Sequence, residues 1–225
     1  MSMRRAEADL IVKANGWLSV QPPEIQNHVL GRSLMLRFDA GAVVYRMGDD
    51  PGGIYGLVSG SLTINCAPPD RTPQLLHIGY PGGWTGEGCF ISRQPRRLDL
   101  RAHAESWLLH LPLDQMDQLA DADPRFTISF AQILMGTVDT LVRIVSDLQH
   151  QAPARRIAAV IERGACPVTG TLPLTQAEIG KMSCTSRRQV NAVLKQFSTR
   201  GWISTTYGGL RIVQPRALRA YIEED

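Results

Sequence analysis

Between Thr175 and Lys195 the chain runs Thr-Gln-Ala-Glu-Ile-Gly-Lys-Met-Ser-Cys-Thr-Ser-Arg-Arg-Gln-Val-Asn-Ala-Val-Leu-Lys. Its polar residues are of the kinds that make directional hydrogen bonds to nucleic-acid bases. Arg187 and Arg188 each carry a planar fork that bridges the O6 and N7 acceptors of guanine. Asn191 carries the donor and acceptor that match adenine, and Lys195 supplies a point charge for phosphate. Thr175, Gln176, Ser186 and Gln189 add shorter hydrogen-bonding groups around the same stretch. An ordinary helical hairpin with a solvated basic face would carry the same charges, so the neighbouring elements have to discriminate.

Those elements are legible as capping signals. Thr175 with Glu178, and Ser186 with Gln189, each place a hydroxyl three residues before a long polar side chain, the pattern of a capping box at a helix start. Two starts so close together predict a helix-turn-helix. Ile179 and Met182 face inward on the first helix, and Val190, Val193, Leu194 and Phe197 recur at helical spacing on the second, which leaves Arg187, Arg188, Asn191 and Lys195 outside. Upstream, Pro153 opens a supporting helix carrying Ile157, Ala158, Val160 and Ile161. Downstream, Trp202–Val213 reads as a two-stranded hairpin turned at Gly208-Gly209, with Tyr207 and Arg211 near its tip, where they could meet a DNA backbone or serve only to stabilise the wing.

The charge distribution agrees. Residues 151–225 hold 11 Lys plus Arg against 5 Asp plus Glu, whereas residues 1–150 hold 13 against 16. The positive field belongs to the end with the hairpin, and it favours a polyanion partner there, double-stranded DNA.

The preceding chain has other periods. Leu10, Ile11, Trp17, Leu18, Ile25, Val29 and Leu30 are broken by Gly16 and Pro22-Pro23, which predicts short helices. From Leu34 the apolar period falls to two, as in Leu34, Leu36 and Phe38 or Leu98, Leu100 and Ala102, with glycines at short intervals. A compact antiparallel β-roll from about Leu34 to Leu111 follows. After Pro124 the period is helical again: Ala131, Leu134, Val138, Leu141, Val145 and Leu148 form a short coiled-coil seam, flanked by Phe126, Phe130 and Ile133 facing the roll. The seam fits a homodimer helix better than a helix buried within one chain, and a dimer would set two reading helices roughly 34 Å apart. The expected class is therefore α+β in three parts: a sensing roll with N-terminal helices over 1–123, a dimerisation helix and hinge over 124–152, and a winged helix-turn-helix over 153–225.

Composition excludes several alternatives. With 225 residues and 44% hydrophobic content the chain can bury a substantial core. No apolar run approaches the roughly 20 residues of a membrane span, and the first residues lack a secretory core, so a cytoplasmic protein without membrane contact is expected. Cys66, Cys89, Cys166 and Cys184 show no CxxC pairing, which argues against a zinc or iron–sulfur site. His77, His103 and His110 lack the short spacing of a cupin-like metal enzyme, and no nucleophile elbow or phosphate loop occurs.

The order of roll, long helix and winged helix-turn-helix resembles the Crp/Fnr family of bacterial transcription regulators. The likeness is strongest in Thr175-Gln-Ala-Glu-Ile-Gly, Ser186-Arg-Arg-Gln-Val, Leu194-Lys195 and Trp202-Ile203, with Gly41, Val44, Gly48-Asp49 and Leu57-Val-Ser-Gly60 matching in the roll. By this resemblance Arg187 takes the place of the main guanine-reading arginine, and RNA polymerase is an implied partner. Arg188 falls where many members have glutamate, so the DNA preference does not transfer.

The resemblance also implies an effector pocket. Cyclic-nucleotide binders in the family use a Gly-Glu pair and a downstream arginine, matched here by Gly86-Glu87 and Arg97. A helix start with a guanidinium suits phosphate, since both donate to the same oxygens. Leu98 replaces the usual hydroxyl residue, Asp99 a small apolar one, and Leu141 and Val142 the hydroxyls set against the purine. Burying a base edge without partners is costly, so an effector other than cyclic AMP, or none, is expected, with a cyclic-nucleotide response as the alternative. Cys89 and His77 are the roll residues able in principle to ligate haem iron, and no cofactor is assigned.

Overall fold

The structure is a computed structural model that describes residues 3–66, 73–206 and 208–224. The chain divides into two compact units, Met1–Thr140 and Leu141–Asp225, and the long helix α5 (Arg125–Gln149) runs through the division.

The first unit begins with α1 (Arg5–Ala14), a short 3-10 turn (Trp17–Val20) and α2 (Pro23–Arg32). Pro23 sits in the first turn of α2, where its missing N–H is not needed, with Glu24 at the positive end and Arg32 at the negative end of the helix dipole. Among the described residues eight strands follow: β1 (Leu34–Phe38), β2 (Val43–Tyr45), β3 (Ile54–Ser59), β4 (Leu62–Cys66), β5 (Gln74–Gly79), β6 (Trp84–Thr85), β7 (Asp99–Ala102) and β8 (Ser106–Leu111), with α3 (Gly88–Ser92) between β6 and β7. They form two antiparallel sheets of order β1-β8-β3-β6 and β2-β7-β4-β5. The roll occupies the span that the two-residue period predicts, Leu34 to Leu111.

One core joins the roll to the helices around it. Ala8 and Val12 of α1, Ile25 and Val29 of α2, Ile54, Val58, Leu109 and Leu111 of the sheet, Met116 and Leu119 of α4 (Leu113–Ala122), and Phe126, Phe130 and Ile133 of α5 form a single buried cluster. Each large side chain there contributes about 1.5–3 kcal/mol by leaving water. Polar bolts fix the approach of α5: Trp17 Nε1 donates to Ser129 O at 2.7 Å, and Ser129 Oγ donates to Gln21 Oε1 at 2.8 Å. The flank Phe126, Phe130 and Ile133 is thus buried as its spacing predicts.

The opposite side of α5 is bare. Val138, Leu141, Val145 and Leu148 are exposed, as are Ile128, Met135 and Val142, while Ala131 and Leu134 are half-buried. By length and composition alone α5 would also pass as a membrane span. The apolar residues of one flank enter the roll core, and Asp139, Arg143 and Asp147 interrupt the remainder.

The second unit is built on α6 (Pro153–Gly164), α7 (Gln176–Met182), α8 (Arg187–Thr199) and α9 (Pro215–Glu223), with a sheet of order β10-β11-β9. Strands β10 (Ile203–Thr206) and β11 (Gly209–Ile212) make the predicted hairpin, and β9 (Thr171–Leu172) adds a third strand through Leu172 opposite Leu210. Sequence periodicity gives no sign of so short a strand. Phe197, Trp202 and Tyr221 meet edge to face and tilted, with ring centroids 5.3–5.5 Å apart, which locks α8, the hairpin and α9 into one body.

Candidate DNA-reading face and roll pocket

Both helix starts in the second unit are closed as the residue types require. At α7, Thr175 N donates to Glu178 Oε2 at 2.7 Å and Glu178 N donates to Thr175 Oγ1 at 3.2 Å. At α8, Ser186 N donates to Gln189 Oε1 at 2.9 Å and Gln189 N returns to Ser186 Oγ at 3.2 Å. The turn between them is tight. Thr185 N donates to Gly180 O at 2.9 Å, and a Cβ at Gly180 would lie 2.9 Å from Thr185 O, so the helices can approach this closely only with glycine there. Cys184 takes a left-handed conformation, φ 51°, and is exposed.

Arg156 was not singled out by its position in the sequence. Its Nε donates to Ser183 O at 3.0 Å and its NH1 to His150 O at 2.7 Å, fastening α6 both to the turn and to the chain end beyond α5. An arginine in the first turn of an amphipathic helix reads as surface charge, and only the fold shows the carbonyls it closes.

Val190, Val193, Leu194 and Phe197 bury one side of α8. Arg187, Arg188, Gln189, Asn191, Ala192 and Lys195 are exposed on the rest. Arg187, Arg188 and Lys195 form no ion pair or side-chain hydrogen bond with any described residue, unlike Arg163 with Asp147 or Arg219 with Glu162 in the same unit. Two unpaired arginines stand at the positive end of a helix that has no acidic residue in its first turn. Each costs about 0.3–1 kcal/mol against the dipole. A local preference broken without a partner inside the chain points to a partner outside it.

Beside this face, α8, the start of α7 and the hairpin enclose a cleft of about 500 Å³. Thr175, Gln176, Asn191, Lys195, Thr205 and Thr206 line its rim over Ile179, Leu194 and Leu210. Arg211 is exposed on β11, and Tyr207 lies outside the described residues. Of the eight residues predicted to contact DNA, Thr175, Gln176, Asn191 and Lys195 line this cleft, while Ser186, Arg187, Arg188 and Gln189 are exposed at the start of α8.

The roll holds a second constellation. Gly86 has φ 106°, and a Cβ there would lie 2.8 Å from both Arg96 NH1 and Gly53 O, so close packing and backbone conformation both demand glycine. Arg96 NH1 donates to Gly86 O at 3.1 Å, NH2 donates to Gly53 O at 2.8 Å, and the guanidinium carbon lies 4.2 Å from the Tyr45 ring centroid and 5.7 Å from that of Tyr55. Glu87 is buried. Its Oε1 accepts from Thr137 Oγ1 of α5 at 3.0 Å, while Oε2 has no partner of good hydrogen-bond geometry. Burial pushes the Glu87 carboxyl above its usual range, against the opposing pull of nearby amides, Thr137 and the Arg96 charge. Burial also pushes the Tyr45 phenol up to about 12. His110 stacks on Tyr55 at 4.3 Å, and burial with the Arg96 charge holds its imidazole below the usual range.

The inward arginine is therefore Arg96, and the predicted Arg97 is exposed. Counting from the Gly86-Glu87 pair points to 97. The backbone decides otherwise: Arg96 N donates to Asp49 O and Gly48 N donates to Arg96 O, both at 2.8 Å, and this pairing pins residue 96 toward the roll. Leu98 is half-buried, and Leu141 and Val142 are exposed on the second unit's part of α5. Asp99 is buried and accepts from Met47 N at 2.7 Å, with Arg101 at 3.5 Å. Among the described residues no three His, Cys, Asp or Glu side chains gather to hold a metal ion.

Comparison with known proteins gives two family matches: the cyclic nucleotide-binding domain over residues 35–123 and the Crp-like helix-turn-helix domain over residues 154–221. A CRP-like cAMP-activated global transcriptional regulator of Mycobacterium tuberculosis is 25% identical over 206 residues, 87% of this chain and 90% of that protein. The fold is similar to that of FixK2 from Bradyrhizobium japonicum, with TM-score 0.73 and 15% identity over 86% of this chain and 98% of the other. It is also similar to the c-di-GMP responsive global regulator CLP of Xanthomonas campestris, with TM-score 0.66 and 21% identity over 85% and 99% of the two chains.

Proposed function

The chain belongs to the Crp/Fnr family of bacterial transcription regulators, a DNA-binding regulator with a cyclic nucleotide-binding domain, and on that footing we propose that it acts as a cytoplasmic homodimer reading paired half-sites. In this reading residues 1–123 sense a signal, 124–152 pair with a second copy and carry the hinge, and 153–225 bind DNA. Arg187, Arg188, Asn191 and Lys195 make the direct contacts, while Thr175, Gln176, Ser186 and Gln189 lie against the backbone at the two helix starts. The observation that carries the proposal is the pair of unpaired arginines at the positive end of a capped and packed α8. RNA polymerase is the partner that such a regulator would engage.

The signal acts by a population shift: an effector that binds better to one arrangement of the paired α5 helices sets the spacing of the reading helices. We place the effector contacts at Gly86, Glu87 and Arg96. Arg96 already donates to two carbonyls and lies over Tyr45, and Glu87 accepts from Thr137. These groups lose existing bonds when a nucleotide phosphate or ribose takes them, which favours another effector or none. The cyclic-nucleotide reading rests on the roll's family match, and among the similar proteins one is named for cAMP and another for c-di-GMP. Calorimetric titration with cyclic AMP and cyclic GMP separates the two readings. For DNA, Arg187→Ala should remove preference at one base pair, worth roughly 1–3 kcal/mol, while general affinity falls less. An equal fall for specific and random duplex would remove Arg187 from the readers.

A further inference from the structure

The hydrogen-bonding inventory of α8 restricts which bases it can read. Adenine N6 and cytosine N4 are donors in the major groove, so a side chain that reads either must offer an acceptor. Arginine and lysine offer only donors. From Arg187 to Lys195 the side-chain acceptors are the amide oxygens of Gln189 and Asn191. Gln189 Oε1 is taken: Ser186 N and Ser186 Oγ both donate to it at 2.9 Å, closing the helix start. Gln189 is left with its amide N–H groups alone. Asn191 is exposed, makes no side-chain hydrogen bond to a described residue, and stands on the rim of the cleft beside Lys195.

We infer that Asn191 is the specificity-determining residue for a single adenine in each half-site. The inference rests on α8 being the DNA-reading helix. Asn191 pairs with adenine N6 and N7 together, and Arg187 and Arg188 pair with guanine, so the contacted edges are purines. Arg187 and Asn191 stand one turn apart, about 6 Å along the helix, which places the adenine within about two base steps of the guanine under Arg187. Ala192, exposed beside Asn191, is small enough to lie against a thymine methyl group.

The test is selection of bound duplex from a randomised pool by the full chain, with nothing added and with cyclic AMP or cyclic GMP. The wild type should enrich one adenine position within two steps of a guanine. Asn191→Ala should flatten that position alone, with a roughly 5- to 150-fold loss for the selected site. Asn191→Asp, which keeps the acceptor and loses the donor, should shift the preference there from adenine to cytosine. Circular dichroism melts of the variants should match the wild type, since Asn191 makes no bond within the fold. A motif that Asn191→Ala leaves unchanged overturns this assignment and leaves α8 as the reader. A wild-type chain that retains no duplex under any of the three conditions overturns the reading of α8 itself.

Discussion

The Arg96 guanidinium lies 4.2 Å above the Tyr45 ring while two of its nitrogens donate to the carbonyls of Gly86 and Gly53. A buried cation is tolerable only where dipoles and a π face replace its hydration, and this seat supplies both without a carboxylate bond. Arg96 is thus part of the roll's own packing. Its charge is also felt at Glu87, so an anion drawn to this guanidinium competes with the bonds that hold it.

Arg96→Ala should therefore destabilise the roll by about 1–3 kcal/mol, the cost of leaving buried carbonyls without their donor. Arg97→Ala, at an exposed position, should stay within about 0.5 kcal/mol of the wild type. Denaturant unfolding measures both. If a cyclic nucleotide binds, its affinity should depend on Arg96 and not on Arg97. A larger loss at Arg97 in either measurement would contradict the placement of the inward arginine.

Glu87 predicts a pH dependence whose sign follows from burial. Its folded-state pKa is raised, so the stability it contributes is present when it is protonated, below its unfolded pKa, and is lost as pH rises through the folded value. The wild type should lose stability relative to Glu87→Gln over that rise, and the variant should be the more stable of the two at neutral pH. His110 works in the other direction: its pKa is lowered, so its contribution is lost as pH falls, and it acts equally in both proteins. Thermal melts across roughly pH 4 to 8 give the comparison. Parallel curves for the two proteins would mean that Glu87 is not held protonated.

The bare stripe of α5 predicts the assembly. Val145 is 57% exposed and Leu141 44%, on a helix whose other flank is already buried. Replacing Val145 by Glu should weaken a dimer by the loss of that apolar contact and the burial of an unpaired charge, a change of several kcal/mol. Sedimentation velocity should show a dimer for the wild type and a concentration-dependent shift toward monomer for the variant. Phe130→Ala, by contrast, should cost about 3–5 kcal/mol of folding stability, since Phe130 is fully buried in the roll core.

Local chemistry was the legible part of this sequence. The capping pairs Thr175–Glu178 and Ser186–Gln189 follow from residue types three apart, and both close in the fold. The roll and the buried flank of α5 follow from period. What pattern does not carry is direction across a loop. Whether residue 96 or 97 turns inward depends on backbone pairing with Gly48 and Asp49, some fifty residues away. Arg156 was hidden for the same reason, since its three carbonyl partners lie outside its own helix. The short strand β9 has two residues and no period to read.

Ser186→Ala joins stability to reading in one side chain. Ser186 Oγ accepts from Gln189 N and donates to Gln189 Oε1, so its removal opens the start of α8 at a cost of about 1 kcal/mol. The same change removes one of the two donors to the Gln189 oxygen, leaving the backbone N of residue 186, and the lone pair so freed, with the amide N–H, can pair with adenine. The variant should melt earlier and still bind duplex, with a broadened motif that gains tolerance or preference for adenine next to the position read by Arg188. Ser186→Ala with Gln189→Ala should keep the stability loss and abolish the new preference. If both variants select the wild-type motif, Gln189 does not face the bases, and the cap is structural alone.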